Sequence, residues 1–104
     1  MSETLLYPPI KIDTTSQKLH CDDELIELTT FEYRTIEYLI RHAGEVISKQ
    51  NLNEYLYPHD EDTDSNVIEV MIGRLRKKLD PGNNIKPIET LRGRGYRFNL
   101  EKSA

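Results

Sequence analysis

Asp64-Ser65-Asn66-Val67-Ile68-Glu69-Val70-Met71-Ile72-Gly73-Arg74-Leu75-Arg76-Lys77-Lys78-Leu79 is the stretch on which the fold turns. Advanced by 100° per residue, Ile68, Ile72, Leu75 and Leu79 fall within about 60° of one another and form a stripe for burial. The opposite side carries Asn66, Val70, Gly73, Arg74 and Lys77, with Val67 and Lys78 at its edge and no acid among them. Glu69 lies on one flank, near Arg76. The spacing predicts a helix from about Asp64 or Ser65 to Leu79, stopped by Asp80-Pro81-Gly82-Asn83-Asn84.

Downstream, Ile85–Leu91 and Tyr96–Leu100 read as the arms of a hairpin joined by Arg92-Gly93-Arg94-Gly95. Upstream, Ser48 is the N-cap of a second helix with Leu52, Tyr55 and Leu56 as its apolar stripe, ended by Tyr57-Pro58. Before it, Thr29-x-x-Glu32 makes a capping box and Leu28 with Tyr33 a hydrophobic staple. Ile36, Leu39, Ile40 and Ala43 follow at helical spacing, and Gly44 is expected at C′. Glu45-Val46-Ile47 leaves room for only a stub of strand. Ile10–Asp13, Lys18–Cys21 and Leu25–Leu28 alternate as three short strands of an antiparallel meander. Residues 1–7 are expected to be a linker or added start, 8–100 the folded domain, and 101–104 a frayed tail. The order predicts an α+β fold: a winged helix-turn-helix with an N-terminal antiparallel sheet, three helices and a C-terminal β-hairpin wing.

With 104 residues and a net charge of −4, one soluble domain is the expectation. No apolar run approaches the ~18–20 residues of a membrane span, and the start lacks the features of a signal peptide. Cys21 is the only cysteine, so internal disulfides and thiolate metal clusters are excluded. A cytoplasmic setting follows as an expectation. The charge is uneven. Residues 1–65 hold 5 Lys/Arg against 14 Asp/Glu, net −9, whereas residues 66–104 hold 9 against 4, net +5. An acidic front is joined to a basic back.

That basic half carries the chemistry. An α-helix fits the major groove of DNA, where Arg pairs with guanine, Asn with adenine, and Val meets a thymine methyl. Arg76, Lys77 and Lys78, late in the helix, suit phosphates. Cations in a last turn also complement the helix dipole, and a charged face is often simply solvated. The hairpin weighs against that bland reading. Arg92, Arg94 and Arg97 surround a two-glycine turn with Tyr96 between them, and a thin cationic loop suits the minor groove. Asp60-x-Asp62-x-Asp64 starts like a calcium loop, but Ser65 and Met71 occupy its glycine and glutamate positions. His20, His42 and His59 show no ligand spacing, and no catalytic constellation or nucleotide fingerprint is present. No enzyme activity, cofactor or metal is expected.

Leu28-Thr29-Thr30-Phe31-Glu32-Tyr33, Asp64–Val70, Gly73–Leu79 and Thr90–Arg97 together resemble the C-terminal effector domain of OmpR/PhoB-type response regulators, with a PhoP-like flavour. The resemblance covers about residues 8–100. It implies sequence-specific binding of double-stranded DNA within a bacterial two-component system. It implies base reading by Asn66, Val67, Val70, Met71 and Arg74, and phosphate contact by Arg76 and Thr90. The residue pattern adds Lys77, Lys78 and Arg94 to the phosphate contacts. Arg92 matches the wing arginine of the minor groove. The loop with Asp60, Glu61 and Asp62 matches a segment that touches RNA polymerase, although it also reads as a plain acidic connector. Gly73 departs from the family, whose members often carry a larger side chain there. Expected partners are DNA with repeated half-sites, RNA polymerase, and a receiver domain and histidine kinase outside this chain. The domain is expected to be monomeric alone and dimeric on DNA. No receiver fits before residue 8, so an excised effector domain is the expectation. A membrane-anchored regulator with the same effector fold, and a winged helix used only for protein contact, are the alternatives.

Overall fold

A computed structural model describes residues 3–58 and 66–103. Strands β1 (Thr4–Tyr7), β2 (Ile10–Asp13), β3 (Lys18–Cys21) and β4 (Glu24–Ile26) lead into helices α1 (Thr30–Arg41), α2 (Lys49–Leu56) and α3 (Asn66–Leu79). Strands β5 (Ile88–Leu91) and β6 (Gly95–Phe98) close the chain. The first four strands form an antiparallel sheet in sequence order, and β5 and β6 form a separate two-stranded sheet.

The sheet faces the helices with one side, as a period of two dictates. Ile10, Ile12, Leu19 and Cys21 are buried, and with Ile36, Leu39, Ile40, Leu52, Ile68, Ile72, Leu75, Leu79 and Phe98 they form one core. The meander has one strand more than expected. Residues 4–7, read as lead-in, pair with β2 through Leu5↔Ile12 and Tyr7↔Ile10. The gain is tertiary. Tyr7 sets its ring edge-on to Phe98 at 5.3 Å, and Leu6 O accepts the N–H of Ser103 at 2.9 Å. The tail expected to fray is therefore tied to β1 at Ser103. At the other edge β4 stops at Ile26, two residues short of the run Leu25–Leu28.

α1 begins as its sequence demands. Glu32 N donates to Thr29 Oγ1 at 3.2 Å, and Thr29 N donates to Glu32 Oε1 at 2.8 Å. His42 is the C-cap, which puts Gly44 one position beyond C′. Its φ of 88° turns its N–H onto Phe98 O at 3.1 Å, so the glycine serves the wing as well as the helix end. Ser48 caps α2 by accepting from Asn51 N at 3.0 Å. Only Leu52 and Leu56 of α2 are buried. Tyr55, assigned to the apolar stripe, lies outside, where its ring meets Tyr38 at 4.5 Å and the Arg34 guanidinium at 5.0 Å. A tyrosine can cover apolar surface while keeping its hydroxyl wet, so the stripe pattern overcounts it.

After α3, Asp80 accepts the backbone N–H groups of Asn84, Ile85 and Lys86 at 2.8, 3.0 and 2.9 Å. Burial alone would raise its pKa, but these three donors hold its carboxyl below the ordinary value. They also fold residues 84–86 into a loop, so the first wing arm starts at Ile88 rather than Ile85. The expected stub near Ile47 is a single bridge, exchanging bonds with Tyr96 at 2.7 and 2.8 Å. Gly95, beside that bridge, has a φ of 141°, and a Cβ there would lie 2.1 Å from Ile47 O. Gly95 therefore exists for the close approach of two protein backbones.

Candidate nucleic-acid interface

The stripe of α3 is buried as its periodicity requires: Ile68, Ile72, Leu75 and Leu79 join the core. Asn66, Val70, Arg74 and Lys77 are exposed on the far side, with Val67 and Gly73 partly so. Val70 is 52% exposed, an apolar group standing among polar ones. Met71 differs from its assignment. It is buried, with its Sδ 2.9 Å from Oγ1 of Thr35, whose hydroxyl donates to Phe31 O at 2.7 Å. At 100° per residue Met71 falls 40° from Leu75, close enough for the core to claim it. The family resemblance puts this position at the groove, whereas the helix geometry sets it nearer the stripe.

The basic residues divide into two sets. Among the described residues, Arg74, Lys77, Arg92 and Arg94 make no ion pair, and all four are exposed. The others are engaged. Lys78 Nζ donates to Glu32 Oε1 at 2.7 Å, and Glu32 is 3% exposed. Burial works to raise the Glu32 pKa, yet the Lys78 ammonium and the Thr29 N–H together hold it below the usual carboxylate range. Arg97, part of the expected wing cluster, pairs across the hairpin with Glu89 at 2.5 Å. Arg76 donates to Ile88 O at 2.9 Å and to Thr90 Oγ1 at 2.5 Å. Asp60, Glu61 and Asp62 lie outside the described residues.

Between α3 and the wing runs a cleft of about 550 Å³ lined by Ser48, Lys49, Glu69, Arg76, Thr90 and the turn Arg92–Arg94. The Lys49 ammonium is ion-paired with Glu69, which raises the lysine pKa. Neither residue stands out in the sequence as part of the site. Lys49 follows an N-cap serine and Glu69 sits on a helix flank, and only the packing of α2 on α3 brings them together. The tip is formed by Arg94 N donating to Leu91 O at 2.9 Å, with Gly93 at a φ of 72° and open space around it. The cleft thus has the Arg76 flank of α3 on one side and the cationic tip of the hairpin on the other, while Arg74 lines a separate groove with Asn66, Val67 and Val70.

No helix among the described residues is long and apolar enough to cross a membrane. A model of the family described as "Transcriptional regulatory protein, C terminal" matches residues 22–98. The two-component response regulator PhoP of Pseudomonas aeruginosa is 44% identical over 98 residues, 94% of this chain and 44% of that protein. The transcriptional regulatory protein PhoP of Escherichia coli K12 is 43% identical over 99 residues, 95% of this chain and 44% of that protein. The chain thus spans less than half the length of these relatives. Among solved structures, the Klebsiella pneumoniae RstA DNA-binding domain, in complex with the RstA box, matches with a TM-score of 0.83. It is 28% identical, over 93% of this chain and 97% of that one. The DNA-binding domain of the response regulator AdeR, in complex with an intercistronic region, matches with a TM-score of 0.80 at 27% identity, over 92% of this chain and 99% of that one. With its sheet, three helices and wing, this chain belongs to the C-terminal domains of transcriptional regulatory proteins, the winged-helix DNA-binding effector domains of OmpR/PhoB-type response regulators.

Proposed function

We propose that this domain binds duplex DNA sequence-specifically by laying α3 in the major groove and the β5–β6 wing against the adjacent minor groove. The observation that carries the reading is the outward face of α3, where Val70, Arg74 and Lys77 are exposed with no acid between them. Arg74 is the bidentate reader of guanine, Asn66 a reader of adenine, and Val70 with Val67 the apolar contact to a thymine methyl. Lys77, Arg94 and the Thr90 hydroxyl meet phosphates. Arg92 enters the minor groove, where the negative potential is strong and the base pattern degenerate. The sugar-phosphate strand between the two grooves then crosses the cleft beside Ser48 and Arg76.

Two copies sit on repeated half-sites about one helical turn apart. In the whole regulator, phosphorylation of a receiver by a histidine kinase controls that pairing, in the cytoplasm. Asp60, Glu61 and Asp62 touch RNA polymerase, a reading that rests on the family resemblance. Selection of bound sequences from a random duplex library tests the central reading. Recovery of a repeated motif supports it, and recovery of unrelated sequences overturns it. Replacing the three loop acids with Ala should lower transcription from a promoter carrying that motif while leaving affinity unchanged.

A further inference from the structure

The two arms of the wing are fastened differently. β6 is held by its neighbours: Tyr96 exchanges both backbone bonds with Ile47, and Tyr96 and Phe98 are buried. β5 pairs with β6 and, among the described residues, with no other strand. Ile88 anchors its root in the core, but beyond Ile88 the strand turns toward solvent. The remaining fastening comes from α3. Arg76 Nε and Nη2 donate to Ile88 O at 3.3 and 2.9 Å, and Nη2 also donates to Thr90 Oγ1 at 2.5 Å. One planar guanidinium thereby spans two acceptors on alternate residues of β5. Thr90 stands two residues before Arg92.

We infer that Arg76 is a positioning residue: it sets the stance of the wing relative to α3, and its contribution to DNA binding runs through Arg92. The inference rests on the DNA-binding reading above for its consequence, but its structural half stands without DNA. A cation that only met a phosphate would be replaceable by lysine. A fork bridging two protein acceptors is not, because an ammonium is a compact point donor without the planar geometry.

The test uses the parent domain, Arg92→Ala, Arg76→Lys and the double variant, with a duplex carrying the selected motif. Arg92→Ala should weaken binding about tenfold in the parent and about twofold or less in the Arg76→Lys background, because a displaced wing has already lost its contact. Equal factors in the two backgrounds, or parent-like affinity of Arg76→Lys, would overturn the inference. A second measurement needs no DNA. Amide hydrogen exchange across Ile88–Leu91 should quicken about tenfold in Arg76→Lys while amides in α2 keep their protection. Unchanged exchange in β5 overturns the positioning role. If the parent binds no duplex at low salt, the proposed function fails, and the exchange result still decides the role of Arg76.

Discussion

Arg74 and Arg76 stand two residues apart on one helix and face different worlds. Arg74 is exposed and makes no ion pair among the described residues, whereas Arg76 is bonded to the wing. The same contrast separates Lys77, which is exposed, from Lys78, which neutralises a buried glutamate. Residue type and sequence position are nearly identical within each pair. What differs is the angle around the helix, and with it whether a cation meets solvent or another element of the fold. Counting charges therefore overstates the interface. Six cations look available in the sequence, Arg74, Arg76, Lys77, Lys78, Arg92 and Arg94, and among the described residues four of them have no partner.

Salt dependence is the broadest way to break this division. Four neutralised phosphates give a slope of log K against log salt of about −3.6 per domain, so affinity should fall roughly a hundredfold between about 50 and 200 mM salt. A slope near −5.4, the value for about six contacts, would mean that Arg76, whose charge no carboxylate among the described residues offsets, and Lys78, paired with Glu32, also meet phosphates.

Substitution sharpens it. Arg74→Ala should cost about 1–3 kcal/mol on the preferred site and relax preference at one base pair. Affinities over a panel of single-base changes are the readout. Arg92→Ala should instead weaken most sequences alike, and the reverse pattern would exchange the roles of helix and wing. Lys78→Met should leave DNA affinity nearly untouched and lower folding stability by about 1–2 kcal/mol, below the value for a fully buried pair because the lysine is partly exposed. Denaturant unfolding and duplex titration of the same variant check both halves of that statement.

The stability cost also has a pH signature. The Glu32 carboxyl is held below its ordinary range in the folded state, so its contribution is present at neutral pH and is lost as pH falls through that depressed value. Once Glu32 is protonated it needs no cation. The penalty of Lys78→Met should therefore shrink as pH falls below the ordinary glutamate range. A penalty independent of pH would show that Lys78 stabilises by packing alone. The smallest effect is at Gly73, on the exposed face with no heavy atom within 4 Å of a would-be Cβ. Gly73→Ala should raise stability by about 0.8–1 kcal/mol through helix propensity. Whether it also changes affinity tells how closely α3 approaches the bases.

Much of the fold is legible in the chain because its signals are local. The capping box at Thr29 and Glu32, the cap at Ser48, the stripe of α3 and the stop at Asp80-Pro81-Gly82 act within a few residues and appear where they are written. The outward residues of α3 follow from the same periodicity. β1 is not legible, because Leu5 and Tyr7 carry no alternation strong enough to declare a strand, and its register comes from β2 and its packing from Phe98. Met71 is buried for a related reason: at the border between stripe and surface, the depth of the neighbouring helix decides, and Thr35 reaches it.

The sequence by itself determined the helices, the basic half of the chain and the two cationic elements proposed to face DNA, since periodicity, caps and turns are properties of short stretches. Tertiary structure alone decided which cations find partners among the described residues. Lys78 meets Glu32 across 46 residues, Lys49 meets Glu69 across 20, and Arg76 reaches Ile88 across 12. Ion pairs and forked hydrogen bonds depend on distances of a few ångströms between distant segments, and no spacing along the chain encodes those distances before the core has formed.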